Sequence, residues 1–469
     1  MHRKSEKNVM KRIVSLALTL AVIVSAMFAL PISANAAETQ TAAVMYGDTN
    51  SDGKINLFDL ILLRKYLAKW SVDIDLQAAD AYYDGKVNLF DLILMRKYLA
   101  KWNVVPGPNY SEVTKKFTEI KDDIHLIGRC GYDKMALYLD FTASGFEIKL
   151  DCEGDVIAKL SPGNSNGKVG IVLDGDYDAM TVTDLSTAAK SVTLAEGLTR
   201  GVHTIRFIKL TEPGTAYSGS RLTMKELTYN GYILKADDYA DSLKLEFYGD
   251  SITCGYGNLC TNGTSGAGTW KYQDGMQTYA AFAARALNAE FSVCASSGYG
   301  IYTGYPYDPE NPDNPRLNTT QTIDDIMNIG FWDKSNVAYD WDFSFDADVV
   351  VINLGTNDQS FGNIAKRELP DDEVYAEAKE LVDNIRSHNP DCYIIWLGGA
   401  MGNYEGTYFH GATVLSKLAD ETENMIFYNG LKTSNAGGDG HPTVQQHKVL
   451  GEQLVQLIRD TYGEQLGLK

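Results

Sequence analysis

The sequence predicts a multidomain chain in which a small α-helical domain comes first, a β-sandwich second and a three-layer α/β domain with a parallel sheet last. Three patterns indicate this order: a repeat within 45–103, alternating apolar residues from 136 to 229, and strands that alternate with helices after 243. The length of 469 residues fits about three domains at roughly 150 residues each. We therefore expect domains at 45–103, 113–236 and 237–469, with a linker at 104–112.

The composition is that of a globular protein with a strongly acidic surface. Hydrophobic residues make up 44% and charged residues 22%, a balance that excludes disorder throughout and a polytopic membrane protein. Acidic residues outnumber basic ones 61 to 42, and most of the excess lies in 237–469, where 34 acidic residues stand against 14 basic ones. Because such a surface repels phosphates, we expect no nucleic-acid partner and favour a neutral substrate such as a sugar.

Residues 1–36 have the pattern of a secretory signal peptide: a basic start, an apolar run over 13–30 and the site Ala34-Asn35-Ala36. We expect cleavage after Ala36, which predicts a secreted, extracellular protein without a membrane anchor. An uncleaved anchor is the competing interpretation, because the apolar run is just long enough to span a bilayer.

Six cysteines in an exported protein raise the question of disulfides. Cys254 and Cys260 are close in sequence, and Cys130 and Cys152 lie in one predicted domain. Either pair could form a bridge, and all six could equally be reduced.

The segment from Lys54 to Trp70 recurs from Lys86 to Trp102, with 15 of 17 positions identical. Each copy follows a D-x-x-x-D-G start and continues with apolar residues at helical spacing. Ca²⁺ takes six to eight oxygen ligands, and the spacing of each loop supplies them. The expected ligands are Asp48, Asn50, Asp52, the Lys54 carbonyl, Asn56 and Asp59 in the first loop, and Asp80, Asp84, the Lys86 carbonyl, Asn88 and Asp91 in the second.

This duplication of loop and helix resembles the type I dockerin family, whose members fold around two Ca²⁺ ions and dock onto cohesin modules of a scaffoldin or a cell-surface protein. The resemblance implies up to two structural calcium ions, a cohesin partner and association with a cellulosome or cell surface. The pairs Leu57-Phe58 and Leu89-Phe90 take the positions with which dockerins select a cohesin. A calcium-stabilised spacer without a partner is the alternative. Tyr82 departs from the pattern at position 3 of the second loop, which predicts weaker calcium binding there or a recruited water.

The middle of the chain alternates apolar and polar residues in short runs separated by turns, which is typical of a β-sandwich or jelly roll. Expected strands are 136–142, 145–150, 168–173, 203–208 and 222–229. We find no constellation of acids or histidines here and expect a domain that packs against its neighbour or shapes the substrate site.

The last domain places its chemically informative residues where strands end, which is where active sites form in parallel sheets. A strand at 243–248 runs into Gly249-Asp250-Ser251, and a strand at 348–354 runs into Gly355-Thr356-Asn357-Asp358. Ser297-Gly298 follows the strand at 291–295, and Asp439-Gly440-His441 precedes the last helix. A serine needs a base to become a nucleophile, and an amide donor can stabilise an oxyanion, so these pieces together predict a serine hydrolase.

These motifs resemble the SGNH (GDSL-like) hydrolase superfamily, and the preceding β-sandwich narrows the resemblance to carbohydrate esterase family two, of the acetyl xylan esterase type. The resemblance implies Ser251 as nucleophile, His441 as base, and an oxyanion hole built from the Ser251 and Gly298 N–H groups and the Asn357 side chain. It implies no cofactor at the catalytic site. The superfamily's usual acid position is Gly438 here, so either Asp439 completes a triad or a backbone carbonyl orients a Ser–His dyad. Tyr299 is a candidate sugar-binding residue.

The expected function is therefore a secreted, cohesin-docked esterase that removes acetyl groups from plant polysaccharides, xylan or glucomannan, through a Ser–His(–Asp) acyl-enzyme mechanism. Two alternatives stay open: a lipase or thioesterase on the same fold, and a catalytically dead sugar-binding module displayed by the dockerin.

Overall fold

The structure is a computed structural model that describes residues 44–108, 110–163, 165–214, 220–305, 317–332, 338–402, 404–434 and 436–468. The chain divides into two compact units, of which the first ends at Gly107 and the second runs from Pro108 to Lys469. The predicted signal peptide at 1–36 lies outside the described residues. No helix among the described residues is long and apolar enough to cross a membrane.

The first unit contains the two repeated helices that the sequence predicts. They are α1 (Leu57–Leu67) and α3 (Leu89–Leu99), with the short α2 (Leu76–Ala79) between them. Asn56 and Asn88 cap α1 and α3 and close a capping box with the aspartate three residues on, which satisfies amide groups that each helix start leaves free. Leu63, Met95, Ala79 and Ala81 form a small buried core.

The second unit begins with an antiparallel sheet of nine strands. They are β1 (Glu112–Lys116), β2 (His125–Ile127), β3 (Cys130–Tyr132), β4 (Leu137–Leu139), β5 (Gly145–Pro162), β6 (Gly167–Leu173), β7 (Thr181–Leu185), β8 (Ser191–Lys209) and β9 (Leu222–Leu234). The three longest, β5, β8 and β9, pair side by side and carry bulges near Cys152–Val156, where extra residues let a long strand bend. The structure thus confirms a sheet-rich domain, while its assignment as a jelly roll stays a prediction.

The α/β part is a five-stranded parallel sheet in the order β11-β10-β14-β15-β16. Its strands are β10 (Lys244–Gly249), β11 (Glu290–Ala295), β14 (Val349–Asn353), β15 (Tyr393–Gly399) and β16 (Met425–Leu431), and β12 (Ile329–Trp332) and β13 (Ala338–Asp340) form a separate hairpin. The helices are α4 (Ser251–Cys254), α5 (Tyr279–Ala286), α6 (Asp324–Met327), α7 (Thr356–Ala365), α8 (Asp371–His388), α9 (Gly411–Asp420) and α10 (Val444–Tyr462).

Alternate residues of the central strand β14 face opposite layers of helices. Val350 and Ile352 belong to the core that holds α8 and α9, whereas Val349 and Val351 belong to the core that holds α5 and α10. This arrangement confirms the predicted parallel sheet with helices on both faces. All six cysteines are free thiols, so neither candidate disulfide is present in the structure.

A buried arginine ties the antiparallel sheet to the parallel one. The Arg129 guanidinium is fully buried, lies 3.0 Å from the Glu246 carboxylate and donates at 2.6 Å to the Met327 carbonyl. Breaking such a pair leaves an uncompensated buried charge at a cost of about 3–5 kcal/mol, so the two sheets are held in one arrangement.

Candidate active site

The predicted nucleophile lies where β10 turns into a helix. Ser251 is the first residue of α4, and Asp250 caps the helix by accepting from the Ile252 N–H at 3.0 Å. Gly249 allows the sharp turn, because a Cβ there would lie 2.0 Å from the Thr253 hydroxyl. The chain therefore presents the Ser251 hydroxyl at the carboxyl end of the central strands.

The predicted base meets the nucleophile. His441 Nε2 lies 2.8 Å from the Ser251 hydroxyl, and Nδ1 lies 3.0 Å from the Gly438 carbonyl. Because a carbonyl can only accept, Nδ1 carries the proton and Nε2 is the free acceptor. The imidazole thus has the tautomer that a general base needs to take the serine proton.

Burial keeps this imidazole neutral. Loss of solvation lowers the pKa of His441 to about 4, against the opposing influence of the Gly438 carbonyl and the nearby Asp439 charge. At neutral pH the ring is therefore unprotonated and ready to accept a proton.

The structure does not place the Asp439 carboxylate on His441. Asp439 has a φ of +50°, and its carboxylate accepts from the Tyr256 hydroxyl at 2.8 Å. The group that orients the imidazole is the Gly438 carbonyl, which corresponds to the dyad alternative. Without a side-chain hydrogen bond to the ring, the Asp439 charge and backbone both raise the pKa of His441.

Tyr256 is a site residue that the sequence analysis missed. Its ring packs against the His441 imidazole with centroids 4.5 Å apart, and its hydroxyl holds Asp439. It lies five residues after the nucleophile in a glycine-rich loop, and nothing in that local pattern distinguishes it from the other tyrosines of the chain.

Two backbone N–H groups are available for an oxyanion. No described residue accepts from the N–H of Ser251 or of Gly298. Gly298 has a φ of +86°, and a Cβ there would lie 2.3 Å from the Tyr305 carbonyl, so only glycine fits this position.

The Asn357 amide lies beside the nucleophile but is engaged in this structure. Its nitrogen donates to the Tyr299 carbonyl at 2.7 Å and to the Asp250 carboxylate at 3.2 Å. Burial, with Asp358 nearby, raises the pKa of Asp250 to about 7. An oxyanion role for Asn357 therefore requires that the longer contact with Asp250 be shared or released.

Tyr299, the candidate sugar-binding residue, has a buried side chain. It is 5% exposed and belongs to the same hydrophobic core as Ile352 and Trp396. The sequence pattern after a strand does not show whether an aromatic ring faces the core or the solvent. Here the Tyr299 ring faces the core. What reaches the site is the Tyr299 backbone carbonyl, which holds Asn357.

The predicted calcium ligands lie in two loops of the first unit. In the first loop, backbone N–H groups of Gly53 and Asn56 hold the carboxylates of Asp48 and Asp59 at 2.8 Å each. Across the described residues there is no group of three or more His, Cys, Asp or Glu side chains placed to hold a metal. The donor set nevertheless suits Ca²⁺, because each loop also offers amide and carbonyl oxygens. In the second loop, burial together with the charges of Asp80 and Asp84 raises the pKa of Asp91, as expected where carboxylates gather.

Comparison with family models divides the chain into three matched regions. Residues 46–100 match the dockerin type I domain, residues 126–224 the N-terminal domain of carbohydrate esterase 2, and residues 247–460 the GDSL-like lipase/acylhydrolase family.

Two curated proteins are similar in sequence to this chain. The cellulase/esterase CelE of Acetivibrio thermocellus is 31% identical over 443 residues, which cover 90% of this chain and 50% of that protein. An acetylxylan esterase / glucomannan deacetylase of Cellvibrio japonicus is 23% identical over 311 residues, which cover 64% of this chain and 78% of that protein. The chain thus spans only half the length of CelE.

Solved structures share the fold. An acetyl xylan esterase, Est2A, from Butyrivibrio proteoclasticus has a TM-score of 0.62 at 20% identity, covering 75% of this chain and 99% of that one. A family two carbohydrate esterase from Clostridium thermocellum in complex with cellohexaose has a TM-score of 0.59 at 25% identity, covering 72% and 99%.

The lowered pKa of His441 predicts an unusually low acid limit for activity. Below its pKa of about 4 the His441 imidazole is protonated and cannot take the serine proton. We expect kcat/KM for p-nitrophenyl acetate to fall with a midpoint near pH 4 as the pH is lowered, rather than near the ordinary histidine value of about 6.5. A midpoint at pH 6 or above in the intact enzyme contradicts a base that is neutral throughout this range.

Asp439→Asn distinguishes a dyad from a triad. The Gly438 carbonyl already fixes the imidazole, so we expect kcat to fall by less than about 10-fold, whereas losing the acid of a true triad costs about 10⁴-fold. The acid midpoint should move to lower pH, because the Asp439 charge raises the pKa of His441. Ser251→Ala sets the inactive baseline, and a loss near that baseline in Asp439→Asn makes Asp439 the third triad member.

Proposed function

We propose that this chain is an extracellular esterase that removes acetyl groups from plant cell-wall polysaccharides. The proposal rests on its matches to the type I dockerin domain, the N-terminal domain of carbohydrate esterase 2 and the GDSL-like lipase/acylhydrolase family, and on its similarity to the cellulase/esterase CelE. The observation that carries the proposal is the 2.8 Å contact between Ser251 and a neutral, partly buried His441 at the carboxyl end of the sheet. An intact nucleophile and base argue against a catalytically dead binding module.

The first half of the reaction forms an acetyl-enzyme. His441 Nε2 takes the hydroxyl proton as Ser251 Oγ attacks the acetyl carbonyl carbon. The charge that forms on the carbonyl oxygen is stabilised by the Ser251 and Gly298 N–H groups, where losing one donor typically costs about 2.7–4 kcal/mol. The sugar oxygen then leaves with the proton from His441.

The second half restores the serine. A water molecule gives a proton to His441 and attacks the acetyl carbonyl, and acetate leaves as Ser251 recovers its proton. The Gly438 carbonyl supports both halves, because Nδ1–H···O keeps Nε2 facing the reacting groups while the ring becomes a cation. No step of this scheme draws on a group other than these residues and water.

The charge of the catalytic domain favours neutral substrates. Residues 237–469 carry 34 acidic and 14 basic residues, so an acetylated polyanion is repelled whereas acetylated xylan or glucomannan is not. The curated Cellvibrio japonicus relative is named for these two polysaccharides, which makes them the first substrates to test.

The first unit is proposed to attach the enzyme to a cohesin module once calcium has ordered its loops. Leu57 and Leu89 are each 62% exposed, and Phe58 and Phe90 are 72% and 59% exposed. The same apolar pair therefore stands at the start of both α1 and α3, as two equivalent binding faces require. Asp48, Asn50, Asp52, Asn56 and Asp59 with the Lys54 carbonyl are the proposed ligands of one ion, and Asp80, Asp84, Asn88 and Asp91 with the Lys86 carbonyl those of the other.

Acetate release tests the proposed reaction. The wild type should liberate acetate from acetylated xylan or glucomannan and prefer p-nitrophenyl acetate to longer acyl esters, and Ser251→Ala should do neither at a measurable rate while keeping its melting temperature. Enzymatic acetate assay and NMR of the remaining acetyl groups give the product and its position. A preference for long acyl chains sinks the acetyl esterase in favour of a lipase or thioesterase.

Calcium titration tests the first unit. We expect calorimetry to show two sites, the second weaker because Tyr82 replaces a side-chain ligand, with Asp48→Ala removing the tight site and Asp80→Ala the weak one. Chelation should abolish cohesin binding and leave acetate release unchanged, because the catalytic residues lie in the other compact unit. Absence of any binding at millimolar calcium overturns this part of the proposal.

A further inference from the structure

A carboxylate from the antiparallel-sheet domain reaches the catalytic domain beside the oxyanion donors. Glu212 follows β8 by three residues and is fully buried. Its Oε2 accepts the Ser297 N–H at 3.1 Å, and Ser297 immediately precedes Gly298.

Glu212 is itself fixed by reciprocal bonds with the catalytic domain. Gln273 Nε2 donates to Glu212 Oε1 at 2.7 Å, and the Glu212 N–H donates to Gln273 Oε1 at 3.1 Å. The Lys209 ammonium, also fully buried, donates at 2.8 Å to the Glu212 carbonyl. Burial raises the pKa of the Glu212 carboxylate, and the hydrogen bonds from Ser297 and Gln273 together with the Lys209 charge oppose that rise.

Among the backbone N–H groups of residues 296–300, these contacts leave that of Gly298 without an acceptor among the described residues. Glu212 takes the N–H that precedes it, and the Tyr305 N–H takes the Gly298 carbonyl at 2.7 Å. Hydrogen bonds hold both the Ser297 N–H and the Gly298 carbonyl. The peptide group between them therefore cannot rotate to give the Gly298 N–H a partner. No described residue accepts from that N–H.

We propose that Glu212 is a positioning residue for the oxyanion hole. By holding the Ser297 N–H, it orients the Gly298 N–H towards the developing charge. The antiparallel-sheet domain thereby completes the active site. This inference rests on the proposed esterase function and deepens it. Oxyanion donors work only when they are oriented before the charge forms, and a displacement of about 1 Å can cost 10²-fold in rate. The effect belongs in kcat, because the N–H meets its partner only in the transition state.

Glu212→Gln tests this against Glu147→Gln, a matched buried acid of the same domain. Glu147 is 1% exposed, pairs with Arg206 and accepts from the Tyr239 hydroxyl at 2.7 Å, with no contact to the catalytic residues. Glutamine at position 212 has one acceptor oxygen where glutamate has two. Either the Ser297 N–H or Gln273 Nε2 then faces the glutamine NH₂ group, which is itself a donor. We expect kcat for p-nitrophenyl acetate to fall about 10-fold to 100-fold with KM within about 3-fold, while Glu147→Gln keeps kcat within about 2-fold even where its melting temperature falls.

Equal kcat in the two variants overturns the inference, as does a loss in Glu212→Gln that appears in KM alone. Should Glu212→Gln not fold, Glu212→Asp keeps the charge but withdraws it from Ser297 by one methylene, and the same fall in kcat at an unchanged melting temperature is expected. The proposed function fails in a different way: the wild type itself then turns over no acetyl ester, whereas failure of this inference leaves a fully active wild type.

Discussion

The hydrogen bond from His441 Nδ1 to the Gly438 carbonyl is the constraint on which the active site depends. It fixes the tautomer and direction of the imidazole, a task that a carboxylate performs in a Ser–His–Asp triad. A backbone carbonyl can do this only if its loop is rigid. Gly438 meets that need: its N–H donates to the Gly257 carbonyl at 3.0 Å, and a Cβ on it would lie 2.5 Å from Ala267 and 2.8 Å from the Cys260 sulfur. The loop that carries the base is thus packed against the loop that follows the nucleophile.

The candidate active site also has support from the antiparallel-sheet domain. Arg129 holds that domain to the parallel sheet through Glu246, and Glu212 extends from it to Ser297. The proposed catalytic residues therefore lie on one domain, and part of their proposed support comes from another. The first unit, by contrast, has a separate core, which contains Leu63, Met95 and two alanines.

The features that depend on local sequence patterns could be predicted from the sequence. Helices α1 and α3 followed from a repeat with apolar residues at helical spacing. The proximity of Ser251 and His441 followed from motifs at a strand end and before the last helix. The role of the Gly438 carbonyl could not be chosen from the sequence, because which of two adjacent acceptors meets Nδ1 depends on the φ of +50° at Asp439. Glu212 was missed for a different reason. It is an isolated acid in the antiparallel-sheet domain, and Ser297, which it contacts, lies 85 residues further along the chain. The burial of Tyr299 likewise depends on packing that a strand pattern does not encode.

Ser251 is proposed to carry the acetyl group during turnover, with His441 as its base. The most direct measurement is mass spectrometry of enzyme quenched in acid during turnover of an acetyl ester, followed by mapping of any adduct to a peptide. We expect one acetyl group on the peptide that contains Ser251, and none in Ser251→Ala treated in the same way. An acetyl group on another residue, or turnover without any acetylated enzyme under conditions where deacetylation limits the rate, contradicts it.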